Sequence, residues 1–306
     1  MSNILESVNK RTQLVGQNRL ELLLFKLNGR QRFGINVFKV KEVLQCPPLT
    51  RLPRLNSSVR GIVHVRGMTI SVIDLSAATG GRPIEDLASS FIIISEYNRS
   101  VQGFLVSSVE RIINMNWEAI MPPPQGSGRG SYLTAVTEIE NELVEILDVE
   151  KILDEISPVN TNISKELDDK LTIDRDKHYH IMVIDDSSVA RKQIIRALSS
   201  LDLQIDTAKD GKEALNKLRA MATELDDVAT EIPLIISDIE MPEMDGYTLT
   251  AEIRDDPKLR NIKVVLHTSL SGVFNQAMVQ KVGANDFIAK FNPDELAAAV
   301  NKHLSL

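Results

Sequence analysis

Four short apolar runs in the second half of the chain are each followed by a chemically versatile side chain. The runs are IMVI (181–184), LIIS (234–237), VVLH (264–267) and FIA (287–289). The residues directly after them are Asp185 with Asp186, Asp238, Thr268 and Lys290. Short apolar runs separated by helical stretches are typical of parallel strands buried on both faces, and ligands bind at the carboxyl ends of such strands. We therefore expect an α/β domain with these five side chains at one edge of its sheet.

The three acids Asp185, Asp186 and Asp238 predict a divalent metal site. Two carboxylates about 4 Å apart repel each other by roughly 4 kcal/mol at an effective dielectric constant near 20, so three together favour a bound cation. Mg²⁺ beside Lys290 and Thr268, whose side chains can bind phosphoryl oxygens, indicates phosphoryl transfer to an aspartate.

Each of these residues also has a plainer interpretation when it is taken singly. Acids after a strand are often turn formers, and Ser187 or Ser188 can simply cap the next helix. The occurrence of all five residues in this order, each at a strand end, favours the phosphoryl site.

The stretch 180–303 resembles a response-regulator receiver domain over essentially the full length of that family. The matching segments are IDDSSVARK, ISDIEMPEMDGYTL, VLHTS and GANDFIAKF. The resemblance implies a CheY-like, flavodoxin-like fold with a five-stranded parallel sheet and a bound Mg²⁺. The roles that it implies are phosphoacceptor for Asp238, metal ligands for Asp185, Asp186 and the backbone carbonyl of Glu240, and phosphoryl contacts for Thr268 and Lys290.

Two further positions follow from the receiver resemblance. Phe287 matches the aromatic position that turns inward on activation, with Phe in place of the commoner Tyr. Receivers usually follow their lysine with Pro, often through a cis bond, whereas Phe291 follows Lys290 here. The geometry of this loop is therefore an open question at the level of the sequence.

Composition indicates a soluble protein without a nucleic-acid partner. The net charge is −7, and no cluster of Lys and Arg of the kind that binds phosphates is present. The single cysteine, Cys46, favours a reducing compartment. No run approaches the roughly 18 apolar residues of a membrane span, and the first ten residues lack the features of a signal peptide. We expect a cytoplasmic protein that does not insert into a membrane.

Residues 157–179 are polar and charged with almost no apolar periodicity, which predicts an interdomain linker. Within it, LDDKLTIDRDK (167–177) can form a turn or two of helix, with nothing expected to bury it. The chain therefore divides into domains at 15–156 and 180–306.

The first domain has its apolar residues in short stretches with little room for crossover helices, which predicts a mostly antiparallel β structure. Asn28-Gly29 lies between two such stretches and is a strong hairpin signal. Exceptions are a short helical turn near Val37–Val43 and a helix around Val149–Glu155.

The stretch 15–156 resembles the CheW coupling domain of bacterial chemotaxis. The resemblance is carried by ELLLFKLNGRQRFGINVFKVKEVL (21–44) and most clearly by GIVHVRGMTISVIDL (61–75). It implies two small SH3-like barrels of five strands each and a surface that bridges chemoreceptors to the histidine kinase CheA. The residues that it implies for this surface are Arg66, Gly67, Val37 and Val40. An alternative for Arg66 is that it braces the turn before Met68.

A CheW-like domain joined to a receiver is the arrangement of the CheV family of coupling proteins. This implies a scaffold that links methyl-accepting chemoreceptors to CheA at membrane-associated arrays and is regulated by phosphoryl transfer from CheA to Asp238. It also implies no enzymatic activity beyond weak self-phosphorylation and autodephosphorylation. The alternative is a phosphate sink that drains CheA, with a phosphoryl lifetime set in part by Glu240 and Leu270.

Overall fold

The computed structural model describes residues 19–53, 56–97, 100–116, 119–123, 132–174, 176–268 and 279–305, without the side chains of Arg19 and Phe38. The described residues fall into two compact units, 19–159 and 160–305. We call them the β unit and the α/β unit.

The β unit contains two five-stranded sheets among its described residues. Their strand orders are β8-β1-β2-β10-β9 and β3-β6-β7-β5-β4. Most neighbouring strands are antiparallel, with the parallel pairs β2–β10 and β5–β7 as the exceptions. The strands are β1 (Arg19–Lys26), β2 (Arg32–Asn36), β3 (Glu42–Gln45), β4 (Val59–Val65), β5 (Met68–Asp74), β6 (Phe91–Tyr97), β7 (Ser100–Val106), β8 (Ser108–Asn116), β9 (Leu133–Ile139) and β10 (Glu142–Leu147). The predicted all-β half with two five-stranded sheets is confirmed.

The Asn28-Gly29 pair lies in the hairpin that it predicts. Strands β1 and β2 pair antiparallel from Lys26 opposite Arg32, so the pair sits in the connection between them. Gly29 has a φ of +105°, a conformation that residues with a Cβ rarely adopt.

The two helical segments expected in the β unit are both present. The first is shorter than expected, and the second is one residue longer. A 3₁₀ turn covers only Val37–Lys39, and Val43 lies in strand β3 instead. After a four-residue helix α1 (Leu75–Ala78), helix α2 covers Val149–Ile156. Its N-terminus is fixed by Asp148, which accepts a hydrogen bond from the backbone amide of Lys151 at 3.0 Å.

A buried ion pair ties strands β4 and β5 to the loop at Ile84. Asp74 ends β5 and is fully buried. Its Oδ2 accepts hydrogen bonds from Arg60 Nη1 at 2.6 Å and from the Ile84 amide at 2.8 Å. Its Oδ1 caps α1 by accepting from the Ala77 amide at 3.1 Å. A buried carboxylate requires such partners, because it has lost its hydration.

The α/β unit has one parallel sheet in the order β12-β11-β13-β14-β15. The helices at Gly211–Met221 and Gly246–Asp255 contribute to one core cluster with this sheet. The helix at Ser188–Ala197 packs against the last helix, Pro293–Leu304. The elements in chain order are α3 (Lys165–Asp168), β11 (His180–Ile184), α4 (Ser188–Ala197), β12 (Gln204–Ala208), α5 (Gly211–Met221), β13 (Leu234–Ser237), α6 (Gly246–Asp255), β14 (Lys263–Thr268), β15 (Asp286–Ala289) and α7 (Pro293–Leu304). Strand β11 is fully buried after its first residue, as expected of a strand covered on both faces. The predicted α/β fold is confirmed.

Part of the predicted linker makes specific contacts within the α/β unit. Helix α3 has no buried residue, but Ile173 further along is buried. The backbone amides of Thr172 and Ile173 donate hydrogen bonds to Asn301 Oδ1 at 2.7 and 2.8 Å. The expectation that nothing would bury this segment is therefore wrong at Ile173, because a side chain of α7 supplies an acceptor for its backbone.

We predict that Asp74→Ala lowers the free energy of unfolding of the β unit by roughly 3 to 5 kcal/mol, because it leaves the Arg60 charge without its partner. The matched control is Glu42→Ala, which removes the partner of Arg66, a side chain that is 74% exposed. We expect less than about 1 kcal/mol for this exposed pair. Urea unfolding of the full chain, followed by the fluorescence of its one tryptophan, Trp117, measures both effects. Equal effects of the two substitutions would contradict this account.

Candidate phosphoacceptor and metal site

Four neighbouring parallel strands bring the predicted side chains to one edge of the α/β unit's sheet. Asp185, Asp238 and Lys290 directly follow β11, β13 and β15, and Thr268 ends β14. Backbone hydrogen bonds join these strand ends. The Asp238 amide donates to the carbonyl of Ile184 at 2.8 Å, and the Lys290 amide donates to that of Thr268 at 2.7 Å. The parallel sheet thus assembles the site from segments that are distant in sequence.

The ammonium group of Lys290 binds two of the three carboxylates. Its Nζ lies 2.6 Å from Asp185 Oδ2 and 2.9 Å from Asp238 Oδ2. All three side chains are more than nine-tenths buried. Opposite charges attract more strongly where water is excluded, so this one cation holds both acids in place.

The three acids fit a divalent cation. Asp185, Asp186 and Asp238 each place one carboxylate oxygen within 4.8 Å of the others. The three carboxylates and the Lys290 ammonium leave two net negative charges, with both Asp185 and Asp238 buried. Mg²⁺ prefers oxygen ligands, and it usually takes one or two carboxylates together with water and phosphate oxygens. This donor set and its charge are therefore compatible with Mg²⁺.

Burial raises the pKa of Asp238 to about 6. The Lys290 ammonium opposes this shift, and the charges of Asp186 and Glu240 add to it. The carboxylate is then largely ionised at neutral pH but poorly solvated, which suits an attacking nucleophile. Glu240 therefore influences Asp238 electrostatically, whereas Leu270 lies outside the described residues.

Arg191 supports the acid pair in a way that the sequence analysis missed. Its Nη1 donates hydrogen bonds to the backbone carbonyl of Asp185 and, at 3.3 Å, to that of Asp186. Ser187 caps α4 by accepting the Ala190 amide, as its plainer interpretation suggested. The only signal in the sequence is a basic residue one turn into the helix that follows the acids.

Gly246 is a second residue that the sequence analysis missed. A Cβ built at this position would lie 2.2 Å from the backbone oxygen of Asp238, closer than any real contact. The Gly246 amide also donates to the carbonyl of Ile239 at 2.9 Å. Only glycine allows the first turn of α6 to approach the end of strand β13 so closely.

The two aromatic residues near Lys290, Phe287 and Phe291, differ in burial. Phe287 is half-buried and packs against the core cluster of the α/β unit. Phe291 is buried and contacts His267 edge to face, with ring centroids 6.1 Å apart. The bond between Lys290 and Phe291 is cis, although Phe291 is not a proline. Burial, and then the Lys290 charge, hold the pKa of His267 well below its ordinary value, so its ring is neutral.

The residues suggested for a coupling surface differ in exposure. Arg66 and Gly67 form the two-residue turn between β4 and β5, with φ angles of 49° and 81°. Positive φ at both positions matches the right-handed twist of a hairpin. The Arg66 side chain is 74% exposed, and it binds Glu42 Oε1 at 2.7 Å. Val37 and Val40 are instead half-buried and pack against the core of the β unit.

Comparison with known proteins relates both units to families. The CheW-like domain matches residues 21–157, and the response regulator receiver domain matches residues 181–301. The chemotaxis protein CheV3 of Helicobacter pylori is 30% identical over 305 residues, which cover 94% of this chain and 95% of CheV3. The chain belongs to the CheV family of chemotaxis proteins.

A second CheV protein and a solved structure add to this comparison. Chemotaxis protein CheV1 of Helicobacter pylori is 27% identical over 327 residues and covers 100% of both chains. The crystal structure of the scaffolding protein TtCheW from Thermoanaerobacter tengcongensis covers 46% of this chain and 95% of its own, at 24% identity and a TM-score of 0.42. From the two family matches, we call residues 21–157 the CheW-like domain and residues 181–301 the receiver.

The described part of the chain includes no helix that is both long and apolar enough to span a membrane.

We predict that Asp238→Asn stabilises the receiver at neutral pH in Mg²⁺-free buffer. Because the pKa of Asp238 in the folded protein, about 6, lies above its ordinary value of 3.8, ionisation of the wild-type residue destabilises the fold as the pH rises through this range. The variant should be more stable by about 3 kcal/mol at pH 8, and the difference should vanish below about pH 3. Urea unfolding followed by the helical circular dichroism signal measures the difference.

Asp255→Asn, at an exposed carboxylate on α6, is the control for the substitution itself. A variant at Asp238 that is no more stable than wild type at pH 8 would show that the carboxylate is not desolvated as described.

Proposed function

We propose that this protein is a chemotaxis adaptor that couples methyl-accepting chemoreceptors to the histidine kinase CheA and is regulated by phosphoryl transfer from CheA to Asp238. The observation that carries the proposal is the buried Lys290 ammonium shared by Asp185 and Asp238, in a chain whose other domain is CheW-like. A receiver of this kind has a phosphoacceptor site, and a CheW-like domain provides a surface for partners. The site of action is then the cytoplasmic side of chemoreceptor arrays.

The chemistry begins with the carboxylate of Asp238. With a pKa of about 6, roughly nine-tenths of it is ionised at pH 7 and able to attack phosphorus. The phosphorus–nitrogen bond of the donor phosphohistidine breaks as a bond between phosphorus and an Asp238 oxygen forms, and the departing imidazole takes a proton from solvent. Lys290 already lies 2.9 Å from Asp238 and pairs with the charge that arrives.

Asp185, Asp186 and Asp238, with the backbone carbonyl of Glu240, are the groups that would hold Mg²⁺. When bound, Mg²⁺ supplies positive charge against the phosphoryl oxygens and lowers the repulsion between donor and acceptor. Asp185 and Asp186 are kept in position for this by Arg191, which binds their backbone carbonyls.

Phosphorylation changes the charge at the site and thereby the residues around it. The modification adds roughly one and a half to two negative charges. Thr268, which is fully buried at the end of β14, then turns its hydroxyl toward the phosphoryl group. Phe287, half-buried on the adjacent strand β15, fills the space that Thr268 leaves. This packing change is the step that carries the phosphorylation signal to the surface of the receiver.

The turn at Arg66 and Gly67 is the part of the CheW-like domain that we propose for partner contacts. Arg66 exposes most of its guanidinium group, and Met68 directly after the turn is 44% exposed. A cation beside an exposed thioether is a combination that protein interfaces favour. Val37 and Val40, which the family resemblance also implies for this surface, are half-buried and pack on the core, so they offer less exposed area to a partner than the turn does.

We predict that phosphoryl label moves from CheA to wild-type protein in the presence of Mg²⁺, and that Asp238→Asn takes up none because it lacks the attacking oxygen. Asp206→Asn, at an exposed carboxylate of the neighbouring strand β12, should take up label like wild type. Label that lasts for minutes supports an adaptor switched by phosphorylation. Label lost within seconds supports the phosphate sink instead, and uptake by Asp238→Asn would refute the assigned acceptor.

We predict that Arg66→Glu weakens recruitment of the full chain to reconstituted receptor and CheA arrays by about tenfold or more, because it reverses a charge in the proposed contact. Arg82→Glu makes the same charge change at another exposed residue of the CheW-like domain and should leave recruitment unchanged. Co-sedimentation with the arrays measures both. Equal recruitment of the two variants would show that the turn at Arg66 and Gly67 is not part of the coupling surface.

A further inference from the structure

Residues 160–173, which we call the strap, are attached to the last helix of the receiver at two points. The backbone amide of Ser164 donates a hydrogen bond to Asp294 Oδ1 at 2.7 Å. The amides of Thr172 and Ile173 both donate to Asn301 Oδ1, at 2.7 and 2.8 Å. The two acceptors are seven residues apart on α7, which is about 10 Å along the helix axis. The strap therefore runs beside α7 in the same direction for about two turns.

The second attachment point, where Thr172 and Ile173 meet Asn301, combines hydrogen bonds with apolar burial. Asn301 Oδ1 is one acceptor for two consecutive backbone amides, and Ile173 beside them is 6% exposed in a stretch that is otherwise mostly polar. Three other apolar residues of the strap, Ile163, Leu167 and Leu171, are half-buried. The segment thus buries apolar surface as well as satisfying backbone groups.

Each attachment point lies close to a residue that responds to phosphorylation. Asp294 comes four residues after Lys290, at the start of α7, where Asn292 caps the helix by accepting the Asp294 amide at 3.0 Å. In the proposed function, a movement of Lys290 toward a phosphoryl group would act on the end of α7 that holds Ser164.

The other attachment is connected to the switch strand. Asn301 is followed by Lys302 and His303, whose side chains lie 2.8 and 3.3 Å from Asp286 Oδ2. Asp286 directly precedes Phe287 on β15. A rotation of Phe287 into the core therefore acts on the contact that positions the last turn of α7.

We infer that the strap is a built-in ligand of α7 and that it binds the unphosphorylated receiver more tightly than the phosphorylated one. The inference rests on the proposed function, because it takes Asp238 as the phosphoacceptor. The strap leads directly to the CheW-like domain in the chain, so its release lengthens the free connection between the domains. Release also uncovers the side of α7 that the strap occupies and makes it available to a partner.

The test is hydrogen exchange of the Thr172 and Ile173 amides in the full chain, with and without Mg²⁺ and beryllofluoride, which mimics a phosphoryl group. Without beryllofluoride, we expect Asn301→Ala to exchange at these amides at least about tenfold faster than wild type, because both lose their acceptor. Asn301→Asp keeps an acceptor oxygen and should remain protected. Asn261→Ala, at an exposed side chain bound to Asp227, is the control and should match wild type.

With beryllofluoride, we expect exchange at Thr172 and Ile173 in the wild type to rise toward that of Asn301→Ala. Protection of the loop 239–245 reports independently whether beryllofluoride has bound beside Asp238. A response of this loop without a response of the strap overturns the inference and leaves the proposed function intact. No response at either place overturns both. Unchanged protection in Asn301→Ala would show that the contact does not hold the strap.

Discussion

The receiver depends on a single buried ammonium group that two carboxylates share. Lys290 lies within 2.9 Å of both Asp185 and Asp238, where little water is present to screen charge. With Asp186 added, the cluster has more negative than positive charge, and burial raises the pKa of Asp238 to about 6. The unmodified protein therefore has an excess of negative charge at this edge, which a divalent cation would neutralise. Function and local stability oppose each other here, as they commonly do at active sites.

This site could be predicted from the sequence because the carboxyl ends of all strands in a parallel sheet lie at the same edge. Once IMVI and LIIS are recognised as strands of one parallel sheet, Asp185 and Asp238 are expected at the same edge of that sheet. The same argument places Thr268 and Lys290, which end or follow the next two strands in the sheet order. The all-β half was predictable for a different reason, since Asn28-Gly29 is a hairpin signal and the tight spacing of the apolar stretches leaves little room for crossover helices.

The features that the sequence did not predict are polar contacts between residues far apart in the chain. Neither the pairing of Arg60 with Asp74 nor the binding of Ile173 by Asn301 follows from any periodicity. A polar side chain has many possible partners, and only the packed fold selects one. Gly246 was missed for a related reason, because its requirement is the close approach of another segment's backbone and not a turn of its own.

The most direct test of the account is to locate the phosphoryl group on the intact protein. Full-length protein is incubated with Mg²⁺ and phosphoramidate, a small donor with a phosphorus–nitrogen bond, and the acyl phosphate is reduced with borohydride to homoserine before mass spectrometry. The account predicts homoserine at position 238 and nowhere else in the chain. Homoserine at another acid, or none with Mg²⁺ present, would contradict the claim that the cluster around Lys290 is a phosphoacceptor site.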